Sequence, residues 1–194
     1  MKKKEAVEVP ELSQLEEELN RVKYNKRYKK VLTSTVSTLI VVAAVAVLIA
    51  TLLMPVLQIY GTSMSPTLYD GDIIATIKTT EFKAGDVVAF YYNNKILVKR
   101  VIAMSGQWVD MDEDGNVYVN DVLLDEPYLV ERAVGECDIK LPYQVPENRI
   151  FVMGDHRSVS VDSRSTTVGC VAEEQLVGKL VFRVWPLKDM GPVR

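Results

Sequence analysis

The sequence predicts a mainly β domain carried behind a single membrane-spanning helix. Two observations carry this reading. No charged residue occurs from Val31 to Tyr69, and within that stretch Leu39 to Leu57 is almost wholly aliphatic. Beyond it, short apolar segments recur between turn signals, a texture that points to an all-β sandwich or barrel.

The apolar run comes first. A bilayer core of about 30 Å needs roughly 20 apolar residues as a helix, so the run is long enough to span. A helix apolar all round could be the core of a soluble protein, but core helices normally keep a polar face. A cleavable leader has an apolar stretch of roughly 7–15 residues. This run is longer and follows thirty residues of polar character, so it reads as a retained anchor over residues 31–57.

Residues 1–30 form the segment before the anchor. Leu12, Leu15, Leu19 and Val22 recur at helical spacing with Glu16, Glu17 and Glu18 between them, which predicts a helix over 10–30. That helix is either a solvated lead-in to the span or a partner-binding helix. Arg21, Lys23, Lys26, Arg27, Lys29 and Lys30 crowd this side, whereas the far side has no basic residue until Lys78. The positive-inside rule then puts the N-terminus in the cytoplasm and residues 58–194 outside.

The net charge of −3 hides this asymmetry: residues 1–30 carry nine basic and six acidic side chains, residues 58–194 fourteen and twenty. A mildly acidic outer domain excludes nucleic acid as the expected partner. Cys137 and Cys170 both fall on the outer side, where a disulfide could persist, but spacing does not decide between a bond and two thiols. No Cys/His cluster has metal-ligand spacing, so neither metal nor cofactor is expected.

The outer part is long enough for one domain with its own core. Asp72–Ile77 follows a turn at Tyr69-Asp70-Gly71, and Asp86–Tyr92 follows Ala84-Gly85. Asn93-Asn94 reads as a turn and Ile96–Ala103 as the next strand. Trp108–Asp110 and Val117–Val119 flank the polar turn Asp112-Glu113-Asp114-Gly115. Residues 106–148 are richer in acid and proline, which predicts a small inserted subdomain.

The chemistry must work almost without histidine. His156 is the only one, in the polar stretch Gly154-Asp155-His156-Arg157, and reads as a loop residue. A serine nucleophile then needs another base. Lysine serves if neutral, and burial in apolar surroundings lowers its pKa by disfavouring the cation. Lys99 lies within Ile96-Leu97-Val98-Lys99-Arg100-Val101-Ile102, where alternation puts it on one face with Leu97 and Val101 and Arg100 on the other. It is either such a buried amine or a surface lysine on an edge strand. The candidate nucleophile is Ser63 in Gly61-Thr62-Ser63-Met64-Ser65-Pro66-Thr67-Leu68, where glycine and proline shape the backbone around a small polar residue. The same motif could be a plain turn joining anchor to domain.

Taken together, these blocks resemble the bacterial type I signal peptidases. The resemblance runs from the anchor onward: Ser63 to Leu68, the Gly-Asp-hydrophobic segments Gly71 to Ile74 and Gly85 to Phe90, Lys99 to Ile102, and Gly154 to Arg164. It implies an antiparallel β-sheet catalytic domain, also found in self-cleaving repressors, behind one N-terminal transmembrane helix. It implies a Ser/Lys dyad with Ser63 as nucleophile and Lys99 as general base. Ser160 matches a serine that hydrogen-bonds the lysine. Asp162 and Arg164 match a structural pair, which Arg100 is expected to join. Gly61, Met64 and Pro66 are the positions for oxyanion and substrate contacts.

The implied substrates are signal-peptide-bearing preproteins, with the lipid bilayer and the secretion translocon as surroundings and no cofactor. Two departures stand out: His156 where the family usually has Asn, and Gly61 where some members have a hydroxyl residue. Endoplasmic-reticulum-type relatives place His at the position of Lys99. Two other readings compete. A self-cleaving repressor would carry a DNA-binding domain in place of the anchor, and an anchored binding domain would not need Ser63, Lys99 and Ser160 together.

Overall fold

A computed structural model of the chain describes residues 11–193. The first ten residues of the predicted cytoplasmic segment lie outside the described residues.

One helix, α1 (Leu12–Leu53), runs without a break through both the charged lead-in and the apolar run. At about 1.5 Å per residue its 42 residues extend roughly 60 Å, about twice the thickness of a bilayer core. It is the one helix among the described residues that is long and apolar enough to cross a membrane. Pro55 accounts for its end, because the residue before a proline is pushed out of the helical region. The aliphatic run therefore changes state near that point: Val56 and Leu57, expected to belong to the anchor, lie in a strand instead.

The remaining elements are strands: β1 (Val56–Gln58), β2 (Ile73–Ile77), β3 (Val87–Tyr92), β4 (Lys95–Ala103), β5 (Trp108–Met111), β6 (Val117–Val119), β7 (Val122–Leu123), β8 (Tyr143–Gln144), β9 (Arg149–Met153), β10 (Val171–Ala172), β11 (Leu176–Trp185) and β12 (Gly191–Pro192). They form two sheets. The larger runs β1-β2-β11-β3-β4-β9-β10 with β12 beside β11, and the smaller runs β7-β6-β5-β8. Every pairing is antiparallel. The mainly β class expected from the turn spacing is observed, as is the antiparallel sheet that the resemblance implies.

Local chemistry explains the hairpins. Asn93 and Asn94 both take positive φ (43° and 60°), the two-residue turn whose twist matches paired strands, and they lock β3 to β4. Alternation then sorts the side chains. Val87 and Ala89 enter one cluster with Ile59, Met64, Leu68, Ile74 and Leu180, while Val88 and Phe90 enter another with Val101, Ile150 and Val152. Both faces of the central strands are thus covered, and a polar side chain there must be buried. The smaller sheet shares a third cluster with the larger one, in which Val109 and Val117 pack with Ile102, Phe151 and Met153.

Candidate active site

Three segments build the site. The first is the loop after β1. Met64 and Leu68 are buried in the core, and the Leu68 N–H donates to the Met64 carbonyl at 2.9 Å, so this stretch closes as a turn. Ser63 sits at its start. The second is β4, which carries Lys99 and Arg100. The third is the loop after β9, from Gly154 to Arg164.

Lys99 Nζ lies 2.7 Å from Ser63 Oγ, and Lys99 is only 3% exposed. The surface-lysine alternative is therefore excluded. Burial pulls its pKa from 10.5 down to about 8. Asp162 and Asp155 act against that shift and Arg164 with it.

The third segment presses on the first. The His156 N–H donates to the Ser63 carbonyl at 3.0 Å. A Cβ on Gly154 would stand 2.5 Å from that same carbonyl oxygen and 2.2 Å from Ser160 Oγ, so only glycine permits the contact. Asp162 accepts from the Gly154 N–H at 2.9 Å and from Arg164 Nε and Nη2, each at 2.8 Å. Burial alone would raise the Asp162 pKa; the Arg164 guanidinium and the Gly154 N–H outweigh it and hold the carboxyl below its ordinary value. Ser160 also sits close enough to favour that carboxylate, without the alignment of a hydrogen bond.

Two expectations need correction. Ser160 does not hydrogen-bond Lys99: its hydroxyl is buried over Gly154 and has no partner among the described residues. Arg100 is paired with a carboxylate other than that of the Asp162–Arg164 pair. It lies on the opposite face of β4 from Lys99, forks onto Asp155 through Nε (2.9 Å) and Nη2 (2.6 Å), and lies 3.9 Å from the centre of the Tyr128 ring. Strand alternation turns the side chains of adjacent residues to opposite faces, so Lys99 and Arg100 meet different partners.

Sequence reasoning missed other residues. Thr67 bonds Asp155, and the Arg183 guanidinium reaches the Thr67 carbonyl. Arg157, fully buried, pairs with Glu126. Nothing in the spacing of these residues signals their pairing. Cys137 and Cys170 are both free thiols, the first half-buried and the second buried.

A cavity of about 520 Å³ opens at Ser63. Its walls are Leu57–Gly61 from and after β1, Ser63, Met64, and Lys95–Lys99 of β4. β9 pairs with β4 only from Arg100 onward, and β1 ends the sheet order, so two strand edges without a partner among the described residues flank the cavity. Gly61 lines it at φ +88°, with its N–H donated to Asp70 at 2.7 Å. Pro66 lies outside this cavity, in a second one of about 350 Å³ with Ser65, Tyr69, Glu131 and His156. Such an arrangement can activate a hydroxyl and seat an extended chain beside it.

A family model described as signal peptidase, peptidase S26, matches residues 32–185. The chain belongs to that family. Signal peptidase I of Bacillus licheniformis is 36% identical over 178 residues, covering 84% of this chain and 93% of that protein. Signal peptidase IB of Staphylococcus aureus is 34% identical over 181 residues, covering 83% and 93%. A crystal structure of a signal peptidase I from Enterococcus faecalis is similar at 28% identity with a TM-score of 0.45, covering 52% of this chain and 97% of that one. The activity class of the chain is accordingly that of a serine signal peptidase. Within the signal peptidase match, residues 32–185 include all three site-building segments.

Proposed function

We propose that this chain is a membrane-anchored endopeptidase that removes signal peptides from exported preproteins with a Ser63/Lys99 dyad. The observation that carries the reading is the 2.7 Å separation between a buried, neutralisable amine and a hydroxyl at the mouth of a cavity. Base and nucleophile must be within hydrogen-bond reach, and the base must be neutral near working pH.

The 2.7 Å contact and the cavity support the following steps. The C-terminal end of the signal peptide lies extended between β1 and Lys95–Lys99 and pairs with their open edges. Small side chains one and three residues before the cut enter the cavity. Neutral Lys99 takes the Ser63 proton as Oγ attacks the scissile carbonyl. The resulting ammonium returns that proton to the departing amine, leaving an ester on Ser63. Lys99 then deprotonates a water, which attacks the ester and frees the signal peptide and the serine.

The developing oxyanion needs donors. The Ser63 N–H has no partner among the described residues and is free to serve. Gly61 offers no side chain, so the hole relies on backbone N–H groups together with any donor the substrate brings. Loss of one such donor in other serine peptidases is worth about 10²–10³ in rate.

The domain layout proposed is a cytoplasmic segment over 1–30, an anchor from residue 31, and an extracytoplasmic domain over 58–194 with an inserted part at 106–148. The basic residues before the anchor support this orientation. Ser63 is six residues beyond Leu57, so the chain holds the site within about 20 Å of that point even if extended, where a preprotein's cleavage site emerges. The translocon and lipid are the proposed surroundings.

The test is cleavage of a preprotein with an Ala-x-Ala site by the purified chain. Ser63→Ala and Lys99→Ala are each expected to abolish it; retained cleavage in either refutes the dyad.

A further inference from the structure

The stretch Glu126–Asp138 contains no helix or strand, yet it is fastened at many points to the loop that backs Ser63. Glu126 pairs with Arg157. Glu131 accepts from Ser158, the Val134 carbonyl from Arg164, and Asp138 from Thr166. Gly135 packs so tightly that a Cβ there would stand 2.3 Å from the Arg157 carbonyl oxygen. Most of these ties lie at or near the surface, but Glu126 and Arg157 are different: their side chains are 1% and 0% exposed.

Their connections lead to the nucleophile in few steps. Arg157 forks onto Glu126 with Nη1 and Nη2, while its Nε donates to the Gly154 carbonyl at 3.1 Å. Gly154 lies against the Ser63 carbonyl, which accepts from the N–H of His156 two residues on. Tyr128 adds a second hold on Glu126, its hydroxyl donating at 2.8 Å, and presents its ring to Arg100. Arg100 in turn fixes Asp155, between Gly154 and His156. Glu126 therefore terminates two chains of contact that converge on the Gly154–His156 backbone.

Stability alone does not explain such a pair. Desolvating two charges roughly cancels their attraction, and apolar replacements of similar volume are often neutral or better. A forked carboxylate–guanidinium pair does supply fixed geometry. We infer that Glu126 is a positioning residue for the peptidase reaction: through Arg157 it sets the Gly154–His156 backbone and thereby the place of Ser63 relative to Lys99. This rests on the dyad reading above. A displacement of about 1 Å at reacting atoms can lower a rate about 10²-fold.

Glu126→Gln keeps the shape and one acceptor but removes the charge and the fork. The expected result is a folded enzyme whose kcat falls 10- to 100-fold with KM within about 2-fold, since the substrate cavity does not touch Glu126. Glu126→Asp, which restores the charge, is expected to recover part of that loss. Tyr128→Phe, which removes only the hydroxyl hold on Glu126, is expected to lower kcat 3- to 10-fold in the same direction. Folded Glu126→Gln with kcat within 2-fold of the parent overturns the proposal. If Glu126→Gln does not fold, Tyr128→Phe decides: an unchanged kcat overturns the proposal and a selective kcat loss upholds it. Ser63→Ala in the same assay separates the two readings, because activity retained there sinks the dyad, whereas an inactive Ser63→Ala beside a fully active Glu126→Gln sinks only the role of Glu126.

Discussion

Lys99 Nζ lies 2.7 Å from Ser63 Oγ, and no carboxylate among the described residues forms an ion pair with that amine. Asp155 and Asp162 are each occupied by an arginine, Arg100 and Arg164. They raise the Lys99 pKa only at a distance, and burial prevails. The fold thus keeps its nearest anions committed elsewhere so that the amine can be neutral.

The first prediction concerns rate against pH. With a pKa of about 8, Lys99 is mostly charged at pH 6.5 and mostly neutral at pH 9. The kcat/KM for a preprotein should therefore rise with pH through a midpoint near 8, well below the 10.5 of an ordinary lysine. Lys99→Arg should be inactive at every pH, because a guanidinium does not deprotonate. A rate flat from pH 6.5 to 9.5 would refute a titrating base.

The same shift has a stability consequence with a definite sign. Between pH 8 and 10.5 the unfolded lysine holds its proton and the folded one has lost it, so folding is favoured more as pH rises through this window. Below pH 8 both are protonated and the full cost of burying the cation applies, on the order of 3 kcal/mol. Lys99→Met should therefore unfold at higher urea than the parent at pH 6.5. That gap should narrow as pH rises above 8.

How legible was this in the sequence? The strands flanking Asn93-Asn94 and the Asp112–Gly115 turn were readable because period-2 patterning and turn chemistry are local. Ser63 and Lys99 were readable only jointly, since each alone had a credible structural alternative. β9 and β11 were not read, although both are central to the larger sheet. β11 carries register shifts on both neighbours, which break its alternation. The ion pairs were also invisible: Arg157 meets Glu126 across 31 positions and Arg100 meets Asp155 across 55, and no local rule pairs residues so far apart.

A third prediction uses Asp162. It raises the Lys99 pKa, whereas Arg164 lowers it. Asp162→Asn leaves the guanidinium unopposed, so the midpoint of the pH–rate profile should move below 8. The variant should also lose about 3–5 kcal/mol of stability, because a buried cation loses its partner. An unmoved midpoint in a folded Asp162→Asn protein would remove Asp162 from the electrostatics of the base.

Thiol reactivity offers a check independent of catalysis. Burial lifts the Cys170 pKa to about 11, and Cys170 is 6% exposed, so its thiolate is scarce and screened at pH 8. A thiol-reactive dye should label one cysteine of the native protein quickly and the second only on unfolding. Cys137→Ser should remove the fast phase. Fast labelling of Cys170 in the folded Cys137→Ser protein would contradict its burial.

Gly154→Ala tests the contact on which the site's placement depends most directly. The added Cβ would meet two obstacles, Ser160 Oγ at 2.2 Å and the Ser63 carbonyl oxygen at 2.5 Å. Neither is the far end of a flexible side chain: one is a hydroxyl on a single carbon, the other backbone. Relief must therefore come from moving the Ser63 segment or the Gly154–His156 loop. The loop is held by Asp162 and Arg157, while Ser63 lines an open cavity. The Ser63 segment should yield first, stretching the His156 N–H contact and the 2.7 Å approach to Lys99 together. Preprotein cleavage should fall at least about 10²-fold. Because the added methyl lies outside the three apolar clusters, the thermal midpoint should drop far less than a core truncation would cause. Near-normal cleavage by Gly154→Ala would mean that Ser63 is positioned by something other than this loop.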